Sequence, residues 1–286
     1  MAEGVIRQLI EAGIHFGHRV SRWNPKMKPY ILTKRNSIHI IDPKETVKGL
    51  LAAKKFVIQT VAAGNDVLLV GTKRQARRAI EENARRVGMH FVTDRWLGGM
   101  LTNFRTIRAR LARLEQLELL EAEGKLARHS KKEDARLRRE MRKIRRNLEG
   151  VRNMDRLPGA VFVADAHRES IALREARKLG IPTLALIDTD SDPDLVDIPI
   201  PGNDDAMRAI ELIVGEICEA AELAKAQRTD KAETEDEAAR RRTRRAVTAR
   251  AVEEAPPEAA AETEAPPAEP AGEQPPAEAE QAPPKS

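Results

Sequence analysis

Apolar and polar positions alternate with two periods along the chain, which predicts an α/β fold. Short apolar runs of the kind buried on both faces of a parallel sheet predict strands at residues 66–71, 89–92, 160–166 and 182–189. Amphipathic patterns between and around these runs predict helices at residues 42–64, 74–87 and 169–179. Strand–helix–strand units of this kind indicate a parallel sheet.

Cap and turn residues refine the predicted elements. Asp42 can cap the first of these helices, and Pro43 suits its first helical position. The segment "VDIPIP" (196–201) contains two prolines, which suit only an edge strand. A last helix is expected to open at "NDDA", with Asn203 as its cap and the two following aspartates in its first turn, where the helix dipole favours anions.

A heptad pattern separates the two α/β halves. Its apolar positions are Phe104, Ile107, Leu111 and Leu114, followed by Leu137, Met141, Ile144, Leu148 and Val151. The link around Gly124 is short, so the pattern predicts an antiparallel coiled-coil hairpin over 104–154, inserted into a core of 1–103 and 155–228. Residues 125–146 contain 11 Lys/Arg against 3 Asp/Glu. This face either solvates the hairpin or meets a polyanion.

Charge is distributed unevenly along the 286 residues. The formal net charge is +5, but the Glu-rich stretch 253–286 contributes −8, which leaves +13 on residues 1–252. A body this basic is drawn to polyanions. Residues 229–286, an Arg-rich run followed by Ala/Pro/Glu repeats, cannot bury enough apolar surface to order themselves and are predicted to be disordered.

Other features bear on the compartment. Cys218 is the single cysteine, so no intrachain disulfide can form, which suits a reducing cytosol. The first 13 residues carry charges at Glu3, Arg7 and Glu11 and lack the apolar run of a signal peptide. No uncharged apolar run approaches the ~20 residues that span a bilayer. A cytoplasmic chain without membrane contact is expected.

Catalytic patterns are missing from the sequence. A ligand crevice in such a sheet would lie beyond the strand ends, at 71–73 and 165–167. The phosphate loop and the dinucleotide fingerprint are absent after both strands, and no nucleophile elbow exists. We therefore expect no enzyme, no cofactor and no small-molecule substrate.

A metal site is an open alternative. His15 and His18 could share a metal with a carboxylate of "DTDSDPD" (188–194) or "GNDD" (202–205). Capping and turn chemistry explains the aspartates equally well, and packing or phosphate contact explains the histidines. No metal ligand is therefore predicted.

Basic residues interleaved with aromatic ones favour RNA as the polyanion, because Lys and Arg meet phosphates while aromatic rings stack on bases. The segment 15–36 is too polar and too rich in proline breaks for a core element. The two tryptophans could equally be packing residues. The predicted RNA-binding residues are Arg19, Arg22, Trp23, Lys26, Lys28, Lys34, Arg35, Lys73, Arg74, Arg77, Arg78, Arg95, Trp96, Arg105, Arg108, Lys131, Lys132, Arg136 and Arg139.

Several motifs resemble one family. "IEAGIHFGHRVSRWNPKMKPYILTKRNSIHIID" is similar to the N-terminal signature of the bacterial small-ribosomal-subunit protein S-two family. "VGTKRQA", "DRWLGGMLTNF" and "ARKLGIPTLALIDTDSDPDLVDIPIPGNDDA" resemble its later signatures in order and spacing. The resemblance covers roughly residues 1–225. "DTDSDP" and "EGVRNM" depart from the family's usual turns.

The resemblance implies a flavodoxin-like three-layer α/β/α core with an inserted coiled coil, and a non-enzymatic structural role in the small (30S) subunit. It implies 16S ribosomal RNA and neighbouring small-subunit proteins as partners. Many family members also help recruit the messenger-binding protein S-one, and the sequence leaves open whether this chain does.

Overall fold

Residues 2–124 and 130–228 are described by the computed structural model, with side chains from residue 6 onward. These residues belong to one compact unit. The predicted disorder of 229–286 and the middle of the predicted hairpin link, 125–129, lie outside the described residues. Within 2–124 and 130–228, no helix combines the length and the apolar character that a bilayer crossing needs.

The order of elements along the chain is that of an α/β fold with an insertion. The strands are β1 (Phe16–Arg19), β2 (Ile31–Arg35), β3 (Ile38–Ile41), β4 (Val67–Val70), β5 (His90–Val92), β6 (Ala160–Val163), β7 (Thr183–Ile187) and β8 (Ile198–Pro201). The helices are α1 (Ala2–Glu11), α2 (Pro43–Ala62), α3 (Arg74–Val87), α4 (Phe104–Ala122), α5 (Lys131–Leu148), α6 (Ser170–Lys178) and α7 (207–228).

A five-stranded parallel sheet in the order β5-β4-β6-β7-β8 forms the centre of the molecule. Every residue of β4, β6 and β7 is buried, as the apolar runs predict. Strand β8 lies at the edge, which confirms the position that its prolines demand. Asp42 Oδ1 accepts a hydrogen bond from Lys44 N at the start of α2, so the predicted cap is also confirmed.

Two apolar layers enclose the sheet. Helices α1, α2, α3 and α7 pack on one face around Phe162, and α4, α5 and α6 contribute to the core on the other face around Val161 and Val163. This arrangement is the predicted three-layer α/β/α fold. The strand order reverses between β4 and β6, so the carboxyl ends of these two strands meet at one edge.

The N-terminal segment contains structure that the sequence pattern did not predict. Strands β1, β3 and β2 form a small antiparallel sheet. Asn36 and Ser37 connect β2 to β3 with φ of 50° and 61°, the backbone of a two-residue hairpin turn. Met27 is fully buried, so the expectation that 15–36 holds no core element was wrong. Its 3-10 helix, Pro25–Tyr30, turns this one apolar side chain inward.

The predicted hairpin is present as α4 and α5. Its heptad residues are buried or partly buried, and Leu114 and Leu148 are 0% and 2% exposed. Arg138 contacts Glu121 and Arg145 contacts Glu118, so residue numbers increase along α5 in the direction in which they decrease along α4. The two helices are therefore antiparallel, as the heptad pattern predicts.

The start of the last helix differs from the prediction. Helix α7 begins at residue 207, so Asp204 and Asp205 precede it. Asn203 Oδ1 accepts hydrogen bonds from the backbone N–H groups of Asp205 and Ala206, at 2.8 and 3.2 Å, and closes a turn ahead of the helix. The physical reason is that Asp204 turns into the protein, where its carboxylate meets Lys73 at 2.8 Å.

Replacement of Leu114 by Ala tests the packing of the hairpin. Leu114 is 0% exposed, so we expect Leu114→Ala to lower the free energy of unfolding in urea by about 2–5 kcal/mol. Leu119 lies on the same helix and is 63% exposed, so Leu119→Ala is the matched control and should change stability by less than about 0.5 kcal/mol. Equal losses in both variants would contradict the packing described.

Candidate nucleic-acid interface

Most of the predicted RNA-binding residues lie exposed on the surface. Among the residues that the structure describes, one group has no acidic partner within ion-pair distance. Its members are Arg19, Arg22, Lys28, Lys34, Arg35, Arg74, Arg95, Arg105, Lys131, Lys132, Arg136 and Arg139. We call this group the unpaired cations. A cation without a carboxylate partner leaves its full charge available to a phosphate.

A second group of predicted residues is held by carboxylates of the chain itself. Lys26 lies 2.9 Å from Asp192 and 2.6 Å from Asp194. Arg77 lies 3.0 Å from Asp94 and also donates to the backbone oxygen of Thr72. In the same way, Arg78 pairs with Glu82, and Arg108 pairs with Asp155. These cations connect elements or brace helices, and part of their charge is already neutralised.

Lys73 is the most enclosed of the predicted cations. Its Nζ lies 2.8 Å from Asp204, 2.6 Å from Asp205 and 3.5 Å from Asp165, and its side chain is 13% exposed. Burial alone would lower the pKa of Lys73, but the hydrogen bonds to Asp204 and Asp205 outweigh it and raise the pKa. Lys73 therefore stays charged and joins the end of β4 to the segment that precedes α7.

Asp204 belongs to a crowded group of carboxylates. Burial and the nearby charges of Asp165 and Asp188 raise the pKa of Asp204 to about 8. Lys73 opposes this rise, but it is a single ammonium shared among several acids. The carboxyl ends of parallel strands bring these acids together, because Asp165 follows β6 and Asp188 follows β7.

His18, on strand β1, faces the same group of acids. Its Nδ1 lies 2.9 Å from Asp188 Oδ2, and the hydrogen-bonding interaction with that carboxylate raises the pKa of His18 to about 9. The backbone N–H of His18 donates to Thr189 Oγ1 at 2.9 Å. The N-terminal sheet is thus attached to the loop after β7 by both backbone and side-chain contacts.

The two tryptophans have different surroundings. Trp23 is half-buried, and its ring lies 5.1 Å from that of His39. Trp96 is 7% exposed, and its Nε1 donates to Glu175 at 3.2 Å. Trp96 therefore anchors its own loop, the packing role left open by the sequence, whereas Trp23 is half-buried within the basic segment.

Glu175 organises the loop that follows β5. Its carboxylate accepts hydrogen bonds from the backbone N–H groups of Gly99, Leu101 and Thr102 at 2.7–3.1 Å. Burial raises the pKa of Glu175, but the hydrogen bonds from this loop exceed that effect and hold the pKa below its usual value. No sequence pattern indicated this role, because a glutamate in a helical pattern is normally a surface residue.

The predicted crevice at the strand ends is filled by polar side chains. Glu169 accepts hydrogen bonds from both the backbone N–H and the hydroxyl of Thr72, and Arg168 Nε donates to Thr72 Oγ1 at 3.0 Å. Glu169 and Asp165 are 4% and 6% exposed. Buried carboxylates at this position repel phosphate, so the crevice does not have the chemistry of a nucleotide site.

Two clefts place predicted cations beside residues from other segments of the chain. Arg95 lies beside Arg142, Lys143 and Arg146 of α5 in a cleft of about 410 Å³. The sequence reasoning did not single out Arg142 and Lys143, although both fall within the basic run 125–146. Arg19 and Arg22 line a separate cleft of about 480 Å³ with His18, Asp188 and Asp205.

Comparison with known proteins gives a consistent result. The family profile described as "Ribosomal protein S2" matches residues 9–224. A relative from Rhodopirellula baltica, "Small ribosomal subunit protein uS2", is 56% identical over 79% of this chain and 87% of its own length. Proteins of the same name from Syntrophobacter fumaroxidans and Corynebacterium kroppenstedtii are 53% and 49% identical, over 77% and 84% of this chain and 80% and 84% of their own lengths.

Replacement of Glu175 tests its role in the loop. In Glu175→Gln the amide N–H₂ group cannot accept the loop's backbone N–H groups, so we expect the free energy of unfolding at pH 7 to fall by about 1–3 kcal/mol. Because the folded pKa lies below the usual pKa of a glutamate, this stabilisation is present above that usual value and is lost as the pH falls through the folded pKa. Urea unfolding of both proteins should therefore converge at low pH.

The exposed residue Glu115, on helix α4, supplies the control. Glu115→Gln should leave the unfolding curve unchanged at both pH values. If Glu175→Gln and wild type differ by the same amount at low and neutral pH, the carboxylate charge is not what holds the loop.

Proposed function

The chain belongs to the ribosomal protein S2 family, and on this premise we propose that it binds 16S ribosomal RNA through its unpaired cations. It is a structural protein of the small ribosomal subunit rather than an enzyme, and it serves translation. The observation that supports RNA contact is the division of the basic side chains into those neutralised by the chain's own carboxylates and those left exposed without a partner.

Electrostatics favours the unpaired cations as the contact residues. A phosphate that approaches Lys26 or Lys73 must compete with two or three carboxylates within 3.5 Å. A phosphate that approaches Lys34 or Arg35 on strand β2 meets no such competitor among the described residues. Neutralising a phosphate with a free cation releases counterions from the RNA, which is the main source of affinity in such complexes.

All of the unpaired cations except Arg74, which lies at the start of α3, fall in two regions, which we propose as two RNA-binding arms. The first is the N-terminal segment with its small sheet, where Trp23 and Tyr30 offer partly exposed rings beside the cations. The second is the basic side of the hairpin, where Arg95 and α5 share a cleft. We also propose that the chain is organised as a core of 1–103 and 155–228 into which an arm of 104–154 is inserted.

The other proposed partners are proteins that lie next to this chain in the small ribosomal subunit. A protein of the small subunit lies within the ribosome, in the bacterial cytoplasm, and contacts neighbouring ribosomal proteins as well as RNA. Recruitment of the messenger-binding protein S-one remains a prediction. It is tested by whether purified S-one binds small subunits that carry this chain and fails to bind subunits that lack it.

Removal of three unpaired cations tests the RNA contact. In the variant Lys28→Gln, Lys34→Gln, Arg35→Gln, we expect weaker binding to 16S rRNA and a shallower salt dependence. The slope of log K against log[salt] should decrease in magnitude by about 2–3, because each lost phosphate contact removes roughly 0.7–0.9. The affinity is measured by filter binding at several salt concentrations, and incorporation is measured by sedimentation with the small subunit.

A charge-matched control comes from cations that are already paired. Arg7, Lys48 and Arg85 contact Glu11, Glu45 and Glu81 on their own helices, at 3.1, 3.4 and 2.7 Å. Their triple replacement by Gln removes the same formal charge but should change the slope by less than about 1. Equal slopes for the two variants would mean that net charge, rather than the unpaired patch, drives binding, and the proposal would fail.

A further inference from the structure

We propose that His18, Asp188 and Asp204 form a binding site for one divalent transition-metal cation, with Zn²⁺ as the best match. The nitrogen and oxygen ligand atoms of these three residues lie within 4.8 Å of one another. Small side-chain rotations would close them around an ion with ligand distances of roughly 2.0–2.2 Å. The inference goes beyond the RNA-binding role and does not depend on it.

The state of Asp188 points to a ligand. Among the described residues, the one group within ion-pair distance of the buried Asp188 Oδ2 is the imidazole of His18, with Nδ1 2.9 Å away. No other donor in that part of the chain reaches this oxygen. A buried carboxylate oxygen needs a proton donor or a cation close by. Either a proton on Nδ1 or a metal ion between Nδ1 and Oδ2 meets this need, and the two arrangements exclude each other.

The charge around the site favours an additional cation. Five carboxylates surround it, from Asp165, Asp188, Asp190, Asp204 and Asp205. The basic groups that contact these carboxylates there are Lys73 and His18. Lys73 approaches Asp204 through Oδ1, which leaves Oδ2 of that carboxylate for a metal. Even with both basic groups protonated, negative charge remains in excess at a largely buried position.

The ligand types select the class of metal. An imidazole nitrogen is a preferred ligand of Zn²⁺ and related first-row ions, whereas Mg²⁺ and Ca²⁺ prefer oxygen alone. The other ring nitrogen of His18, Nε2, lies 3.6 Å from Asp205 Oδ2. A carboxylate behind a ligating histidine orients the ring and strengthens the ligand. The cleft of about 480 Å³ lined by His18, Asp188 and Asp205 gives the ion access and leaves room for a water ligand.

A metal at this site would connect three distant parts of the chain. His18 lies on β1, Asp188 follows β7, and Asp204 precedes α7. The ion would therefore fix the N-terminal segment, with Arg19 and Arg22, against the carboxyl edge of the parallel sheet. Its role would be structural. Without the ion, a protonated His18 can neutralise Asp188, but Asp204 is then neutralised by Lys73 alone, and nothing links Asp188 to Asp204.

The test is metal binding by the untagged full-length chain. After treatment with chelator and dialysis, wild type should bind one equivalent of Zn²⁺ in a calorimetric titration, and Mg²⁺ should not compete. His18→Gln and Asp188→Asn should weaken binding at least 100-fold, and Asp205→Asn should weaken it by about 10–100-fold. The matched controls His90→Gln and Asp66→Asn alter another His–Asp pair, 3.7 Å apart, and should bind Zn²⁺ like wild type.

A measurement on wild type alone keeps the test valid if a variant fails to fold. In the complex with one equivalent of Zn²⁺, the zinc K-edge absorption spectrum should show nitrogen and oxygen ligands at roughly 2.0–2.2 Å and the scattering of one imidazole ring. The proposal is overturned if wild type binds no Zn²⁺, if folded His18→Gln or Asp188→Asn binds it as tightly as wild type, or if the spectrum shows no imidazole ligand.

Discussion

The ion contacts between Lys73 and the carboxylates of Asp165, Asp204 and Asp205 are the interaction on which the rest of the structure depends. A parallel sheet gathers the residues that follow its strands at one edge, and in this chain several of those residues are acidic. Carboxylates in such a buried place need cations or donors close by. Lys73, His18 and the hydroxyl of Thr72 meet this need, and they connect the first half of the sheet, the N-terminal strand and the second half.

The same constraint determines which basic residues remain available to a partner. Where acids and basic side chains of different segments lie close together, they neutralise each other, so Lys26, Lys73 and Arg77 hold segments of the fold together. Elsewhere, Lys and Arg stand exposed without acids beside them. For a chain that carries 50 Lys and Arg against 45 Asp and Glu, position rather than number separates the structural cations from those that we propose as RNA contacts. The acids at the strand ends repel phosphate, which agrees with the structural role of the family to which the chain belongs.

Much of the fold could be predicted from local patterns. The runs at β4, β6 and β7 are buried on both faces, so their composition reveals them, and Asp42 and Pro43 mark a helix start without reference to distant residues. The small N-terminal sheet escaped prediction because strand β1 is mostly exposed or half-exposed and shows no apolar alternation. The Asn36-Ser37 turn was its one local signal.

The site was less predictable because its contacts join residues far apart in sequence. Trp96 and Glu175 are 79 residues apart, and Lys73 and Asp204 are 131 apart. No spacing rule connects such pairs, so the sequence could nominate Lys73 as a cation without revealing that three acids enclose it. The last helix was predicted to start before its true first residue for the same reason. Its aspartates resemble first-turn residues in the sequence, and only the structure shows that Asp204 contacts Lys73 instead.

The most direct measurement of the central claim is a structure of the assembled small subunit that contains this chain. We expect RNA phosphate oxygens within about 3 Å of the charged groups of Arg19, Arg35 and Arg136. We also expect Lys73 to keep its carboxylate partners. A particle in which these three arginines face bulk water or another polypeptide, with no phosphate nearby, would contradict the proposed RNA contact.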